Sequence, residues 1–140
     1  MLIYGRDKEL AQWAAEIIGI ASFREDARAI GIERKGQIIA AVVYDTFSEC
    51  DVNMHVASKS RYWLTHEFLA HVFAYPFIQC GKRRVTGIVP AHNSKALRLN
   101  QHLGFRSEGY CPLALPYDDV VILGMLRREC VFIPEEYRHD

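Results

Sequence analysis

From Arg6 to Ile18 the apolar residues fall at Leu10, Trp13, Ala14, Ile17 and Ile18. Spacings of three and four place them on one side of a helix, and Gly19 offers a stop. The period then changes. Arg28 to Glu33 reads as a short strand and Lys35-Gly36 as a turn. Ile38 to Tyr44 is a nearly unbroken apolar run, which predicts a strand covered on both faces. Asp51 to Ala57 alternates instead. Val52, Met54 and Val56 take one side, and Asp51, Asn53 and His55 take the other.

A second helix is predicted over about Leu64 to Gln79. Thr65 is its N-cap, and Leu64, Phe68, Leu69, Val72 and Phe73 form its buried stripe. Pro76 falls inside that span, so a kink or an end before Pro76 is expected. Cys80-Gly81-Lys82 forms the exit. Arg84 to Val89 is a strand ended by Pro90. Asn93 caps a third helix with Ala96, Leu97, Leu99 and Leu103 on its apolar side, closed by Gly104. Phe105 to Cys111 and Val120 to Leu126 read as a strand pair joined by a loop containing Pro112 and Pro116. Residues 133–140 are polar and are expected to form a loosely held tail. One helix followed by β-β-β-α-β-α-β-β predicts an α/β fold, with a mixed sheet and helices on both faces.

Composition narrows the class. A chain of 140 residues, 50% hydrophobic and 24% charged, suits one ordinary domain over residues 1–140 with a core that needs no staples. Seventeen basic residues balance seventeen acidic ones, so no whole-surface field for nucleic acid exists. Lys82, Arg83 and Arg84 make only a short basic cluster. No apolar run approaches the roughly 18 residues of a membrane span. Met1 to Gln12 carries charges where a secretory leader is apolar. The expectation is a cytoplasmic protein that binds neither membrane nor nucleic acid. Cys50, Cys80, Cys111 and Cys130 are far apart and form no C-x-x-C pair, so reduced thiols and no metal site are expected.

Two places carry candidate chemistry. The row Asp51, Asn53, His55 fits either a solvated or self-satisfied strand face, or the wall of a cleft. In the second case a histidine sharing a face with a carboxylate can act as a general base. The segment Ser58 to Thr65 joins a strand to a helix start and holds Lys59 and Arg61. Free amides, the helix dipole and two cations favour an anion there, although most such turns bind nothing. His66-Glu67-Phe68-Leu69-Ala70-His71 is one residue too long for H-E-x-x-H. Its histidines stand roughly 140° apart around a helix and cannot share one metal. Nucleophile-elbow, Walker and dinucleotide-binding motifs are absent.

The stretch Asn93 to Gly109 reads N-x-x-A-x(7)-G-F-x-x-E-G. It resembles the corresponding stretch of the GNAT (Gcn5-related) N-acetyltransferases, most of all the branch of the ribosomal-protein-alanine acetyltransferases. Val72 to Phe77, Arg83 to Val89 and Ile122 to Leu126 resemble the flanking elements, and the likeness spans about Ile38 to Arg128. The resemblance implies a splay between the central parallel strands Asp51 to Ala57 and Arg84 to Val89. It implies acetyl-CoA as acyl donor, with Val56 and Ala57 pairing its pantetheine arm. Ser58, Lys59, Ser60, Arg61, Tyr62, Trp63 and Leu64 would hold its pyrophosphate, and Asn93 would lie near the arm. It further implies transfer of acetyl by direct attack of a primary amine, with His55, Asp51 or Glu49 removing the ammonium proton. The acceptor would be a protein N-terminus or a small amine, and a homodimer is compatible with the family. Two positions depart from it: the 58–64 loop has no glycine, and Asn100 stands where many members carry a tyrosine. The alternative expectation is a catalytically inactive GNAT-fold binding or scaffold protein.

Overall fold

The computed structural model describes residues 1–60 and 63–139. Its centre is a seven-stranded sheet: β1 (Leu2–Ile3), β2 (Arg28–Arg34), β3 (Gln37–Asp45), β4 (Asn53–Ser58), β5 (Arg84–Pro90), β6 (Arg106–Leu115) and β7 (Asp118–Leu126). The spatial order is β1-β2-β3-β4-β5-β7-β6. Every neighbouring pair is antiparallel except β4 and β5, which are parallel. The three helices are α1 (Asp7–Ile18), α2 (His66–Ala74) and α3 (Ser94–Leu103).

Strand alternation divides the core into two layers. Leu10 and Ala14 of α1 pack with Ala29, Ala41, Val43 and Ala57 on one face. Phe68, Val72 and Phe73 of α2 and Leu103 of α3 pack with Val42, Tyr44, Met54, Val85 and Leu123 on the other. The small residues facing α1 let the helix approach closely. At Gly31 an added Cβ would stand 2.6 Å from a Leu10 methyl. The unbroken apolar run of β3 is accounted for: its Val42 and Val43 lie in opposite layers and both are fully buried.

The end of the second α-helix before Pro76 is as expected, the turn that follows it is not, and two other expectations change. The second helix is α-helical only to Ala74, and Tyr75–Gln79 forms a π turn. Pro76 has no N–H to give to the α ladder. The Cys80 amide instead reaches back five residues to the Tyr75 carbonyl at 2.9 Å. The loop expected around Pro112 is strand: β6 and β7 pair as far as Leu115 opposite Asp118, with irregular register between Cys111 and Leu115. β6 is the outermost strand, where a proline removes no ladder bond from a central position. Residues 131–139 are tied down. Ile133 is buried. Phe132 stacks on Phe73 with centroids 5.2 Å apart. The Arg138 Nε donates to the Ile133 carbonyl, and the Arg127 Nε to that of His139. Cys130 is buried with them, and that burial pushes its thiol up to about 11. β1 was too short to leave a period in the sequence. No helix is long and apolar enough to cross a membrane among the described residues.

Candidate functional site

β4 and β5 share a single register pair, Asn53 opposite Thr86, although they run for six and seven residues. The pairing is at the start of both strands. The Thr86 amide donates to the Val52 carbonyl at 3.0 Å, and the Arg84 amide to that of Cys50 at 3.1 Å. Beyond this point the strands part. The ladder fixes which backbone groups are left over. The Lys59 amide bonds the Ile39 carbonyl on β3, so Ala57 and His55, two and four residues earlier, also turn their backbones to β3. Val56 and Ser58, in step with Val52, turn theirs to the gap. Ile88 does the same from β5, in step with Thr86. Of the two residues expected to pair an extended ligand, Val56 therefore faces the gap and Ala57 faces β3.

The gap is a cleft of about 130 Å³ that passes through the sheet, lined by Ile18, His55, Val56, Ile88, Asn93 and Asn100 among others. Ile18 belongs to α1 on one face, and Asn93 and Asn100 belong to the α3 segment on the other.

His55 forms the wall on the α1 side. Its Nε2 lies 2.8 Å from Oδ1 of Asp45. The side chains are 21% and 10% exposed. The Phe23 ring packs against the imidazole, 5.0 Å between centroids. β3 and β4 pair Val43 with His55 and Asp45 with Asn53, which makes Asp45 the diagonal neighbour of His55 on one face. Asp51 has other partners. Its carboxylate accepts from the Val52 amide at 2.8 Å and from the Thr86 hydroxyl at 2.8 Å, and lies 3.6 Å from the Arg84 Nε. Arg84 in turn holds Glu108 at 2.5 Å. That hydrogen bond is the main cause of the rise in the Arg84 pKa. Glu49 is exposed in the loop between β3 and β4.

The candidate anion loop is partly described, and Arg61 and Tyr62 lie outside the described residues. The Ser58 hydroxyl closes a turn with Ser60, donating to its carbonyl and accepting from its amide. The Lys59 Nζ sits over the Trp13 ring at 5.9 Å. Trp63 is buried in the core, edge-on to Phe68, and Leu64 is packed half-buried against it. Thr65 caps α2 by accepting from the Phe68 amide at 3.2 Å. Asn93 caps α3 through Oδ1 while lining the cleft. His66 contacts the Phe132 ring, and the His71 Nδ1 bonds the Tyr4 hydroxyl.

The fold recurs in solved structures. The spermidine N-acetyltransferase SpeG N152L mutant from Vibrio cholerae superimposes with a TM-score of 0.72, at 12% identity over 90% of this chain and 92% of that one. The chain has the GNAT acetyltransferase fold. Other carriers of the GNAT fold include a putative phosphinothricin N-acetyltransferase, with TM-score 0.68 and 17% identity over 90% of this chain and 97% of that one. The ribosomal-protein-S5-alanine acetyltransferase from Vibrio fischeri gives 0.63 and 17%, over 77% of this chain and 64% of that one. No family model and no curated protein matches the sequence.

Asp45 and Phe23 were not singled out in the sequence. Asp45 follows the apolar run directly and looks like its terminator. Only the register of β3 against β4 brings it to His55.

Proposed function

We propose that this chain is an acetyl-CoA-dependent N-acetyltransferase acting by direct attack on a primary amine. The observation that carries the reading is the cleft through the sheet with His55, bonded to Asp45, on its wall. Acetyl-CoA supplies an activated thioester. The residues present fit an extended acyl donor: Val56, Ser58 and Ile88 offer backbone groups that pair with no strand, as an inserted peptide-like chain requires. Asn93 keeps its amide nitrogen available while Oδ1 caps α3. The amides opening α2 suit a pyrophosphate. No glycine occurs in residues 58–64, so every residue of that loop bears a side chain.

His55 takes one proton from the ammonium, and Asp45 holds the imidazole in orientation and balances the charge it gains. The freed nitrogen pair forms the bond to the carbonyl carbon, and the carbon–sulfur bond breaks with its electron pair on sulfur. The nitrogen gives up a second proton as the amide forms, and the thiolate takes up one proton. In this reading the carbonyl oxygen, as it gains charge, would be met by a backbone N–H left over at the splay. Cytoplasmic location belongs to the same reading.

A GNAT-fold binding or scaffold protein is the second reading. It is favoured by Asn100, which lines the cleft and offers no acid for the thiolate. Calorimetric titration with acetyl-CoA, followed by thiol release in the presence of amines, separates the two. Binding with thiol release supports the enzyme. Binding without release from a broad amine panel supports the scaffold, and no binding at millimolar acetyl-CoA removes the enzyme reading.

A further inference from the structure

The acceptor side of the cleft is apolar apart from His55. Ile18, at the end of α1, and Ile88, on β5, line it together with the imidazole. Both isoleucines are 43% exposed. A single exposed isoleucine needs no explanation, but two in one cleft beside the proposed base form a wall. The Phe23 ring extends that wall against His55.

The carboxylates that β3 and β4 place on the His55 face are already committed, and Glu49, exposed in the β3–β4 loop, does not line the cleft. Asp45 is bonded to His55. Asp51 is held by Thr86 and Arg84, and Glu108 by Arg84. Among the described residues lining the cleft, His55 is the sole titratable group. An acceptor with a second ammonium a few carbons from the reacting one would leave that charge against isoleucine, with no carboxylate among the described residues lining the cleft to meet it, and an unpaired charge on an apolar wall is costly.

We infer that the acceptor is a primary amine carried on an apolar, uncharged body, and that polyamines are poor substrates. The inference rests on the N-acetyltransferase reading and specifies its substrate class. The same chemistry is found in free arylalkylamines and in peptide N-termini with an apolar first residue, and the test distinguishes the two sources.

The experiment uses the full chain. Acetyl-CoA binding is measured first by calorimetry. Thiol release is then compared for phenethylamine, a tetrapeptide amide beginning with Leu, putrescine and spermidine. The expected result is a kcat/KM at least about tenfold higher for phenethylamine or the peptide than for either polyamine, the scale on which apolar pockets discriminate. Whichever of the two leads identifies the source. Ile18→Asp, at an exposed helix end, is expected to lower that preference several-fold, whereas Ile18→Ala lowers it less. Acetyl-CoA binding with spermidine or putrescine preferred overturns the inference and leaves the enzyme reading standing. Acetyl-CoA binding with no amine acetylated overturns it in favour of the scaffold. Absence of acetyl-CoA binding overturns the enzyme reading itself. A preference unchanged in Ile18→Asp overturns the role of the wall.

Discussion

His55 and Asp45 meet because β3 and β4 run antiparallel in one register, which sets position 45 diagonally across from position 55. The pair is half enclosed: the carboxylate is nearly buried, and the Phe23 ring shields the imidazole. In the proposed reaction a carboxylate on one ring nitrogen fixes which nitrogen is left for the substrate, which would make Asp45 a positioning residue for His55. His55→Gln should lower kcat by about 10²–10⁴, the usual contribution of a general base, with acetyl-CoA affinity retained. Asp45→Asn keeps the volume and the neighbours, and should lower kcat by a smaller factor. Steady-state kinetics, calorimetry and melting temperature on the same preparations check both. Full kcat in variants of reduced melting temperature would make the pair purely structural. At this scale half of the arrangement was legible. Alternation in Asp51 to Ala57 aims His55 at one face, but its partner comes from another strand, and no spacing within β4 reveals it. Asp51 shares the face in sequence, yet Thr86 and Arg84 hold it at the closed end of the splay.

At the scale of elements, the strongest constraint is how closely α1 lies on the sheet. Gly31 on β2 faces Leu10, and a Cβ there would stand 2.6 Å from one Leu10 methyl and 3.1 Å from the Ala40 carbonyl oxygen. Leu10 has no exposed surface, so it cannot swing away into solvent. Gly31→Ala should therefore destabilise the protein by about 1–3 kcal/mol through overpacking. Urea unfolding should show a lower midpoint at unchanged slope, and an unchanged midpoint would mean that α1 shifts freely. Periodicity located α1, β2, β3, β4, β5 and α3 because each has a face that must be buried. It failed where another force set the local structure. Pro76 marked the end of the α-helix before it, but not the π turn that follows. In β6, ladder bonds to β7 carried the strand past Pro112, because an edge strand can hold a residue that a central strand cannot.

The whole molecule is a sheet in two parts, β1 to β4 and β5-β7-β6, joined side by side where β4 meets β5. That seam is short. It has one register pair, backbone bonds from Arg83, Arg84 and Thr86 to the segment Cys50 to Val52, and the carboxylate of Asp51 on the Thr86 hydroxyl. A full ladder would be stronger and would leave no gap. The open end of the seam exists only because the closed end holds, so the side chains there act on the cleft from a distance. Arg84 extends the closure from Asp51 to Glu108 on β6, across β7, where Gly124 leaves room for the ion pair. Thr86→Val keeps the shape and removes the hydroxyl, leaving Asp51 with one partner fewer. The expected cost is about 1 kcal/mol in stability, the net value of a typical hydrogen bond. Hydrogen exchange offers the more telling readout. The Thr86 and Arg84 amides should exchange faster in the variant, while amides of the β2–β3 ladder stay as protected as before. If the two parts loosen about this seam, acetyl-CoA affinity should fall as well, although Thr86 does not line the cleft. Faster exchange confined to the seam, with weaker acetyl-CoA binding, supports a splay held open by its closed end. Loss of protection spread evenly over both parts would mean that the seam has no separate role and that Thr86 only adds to global stability.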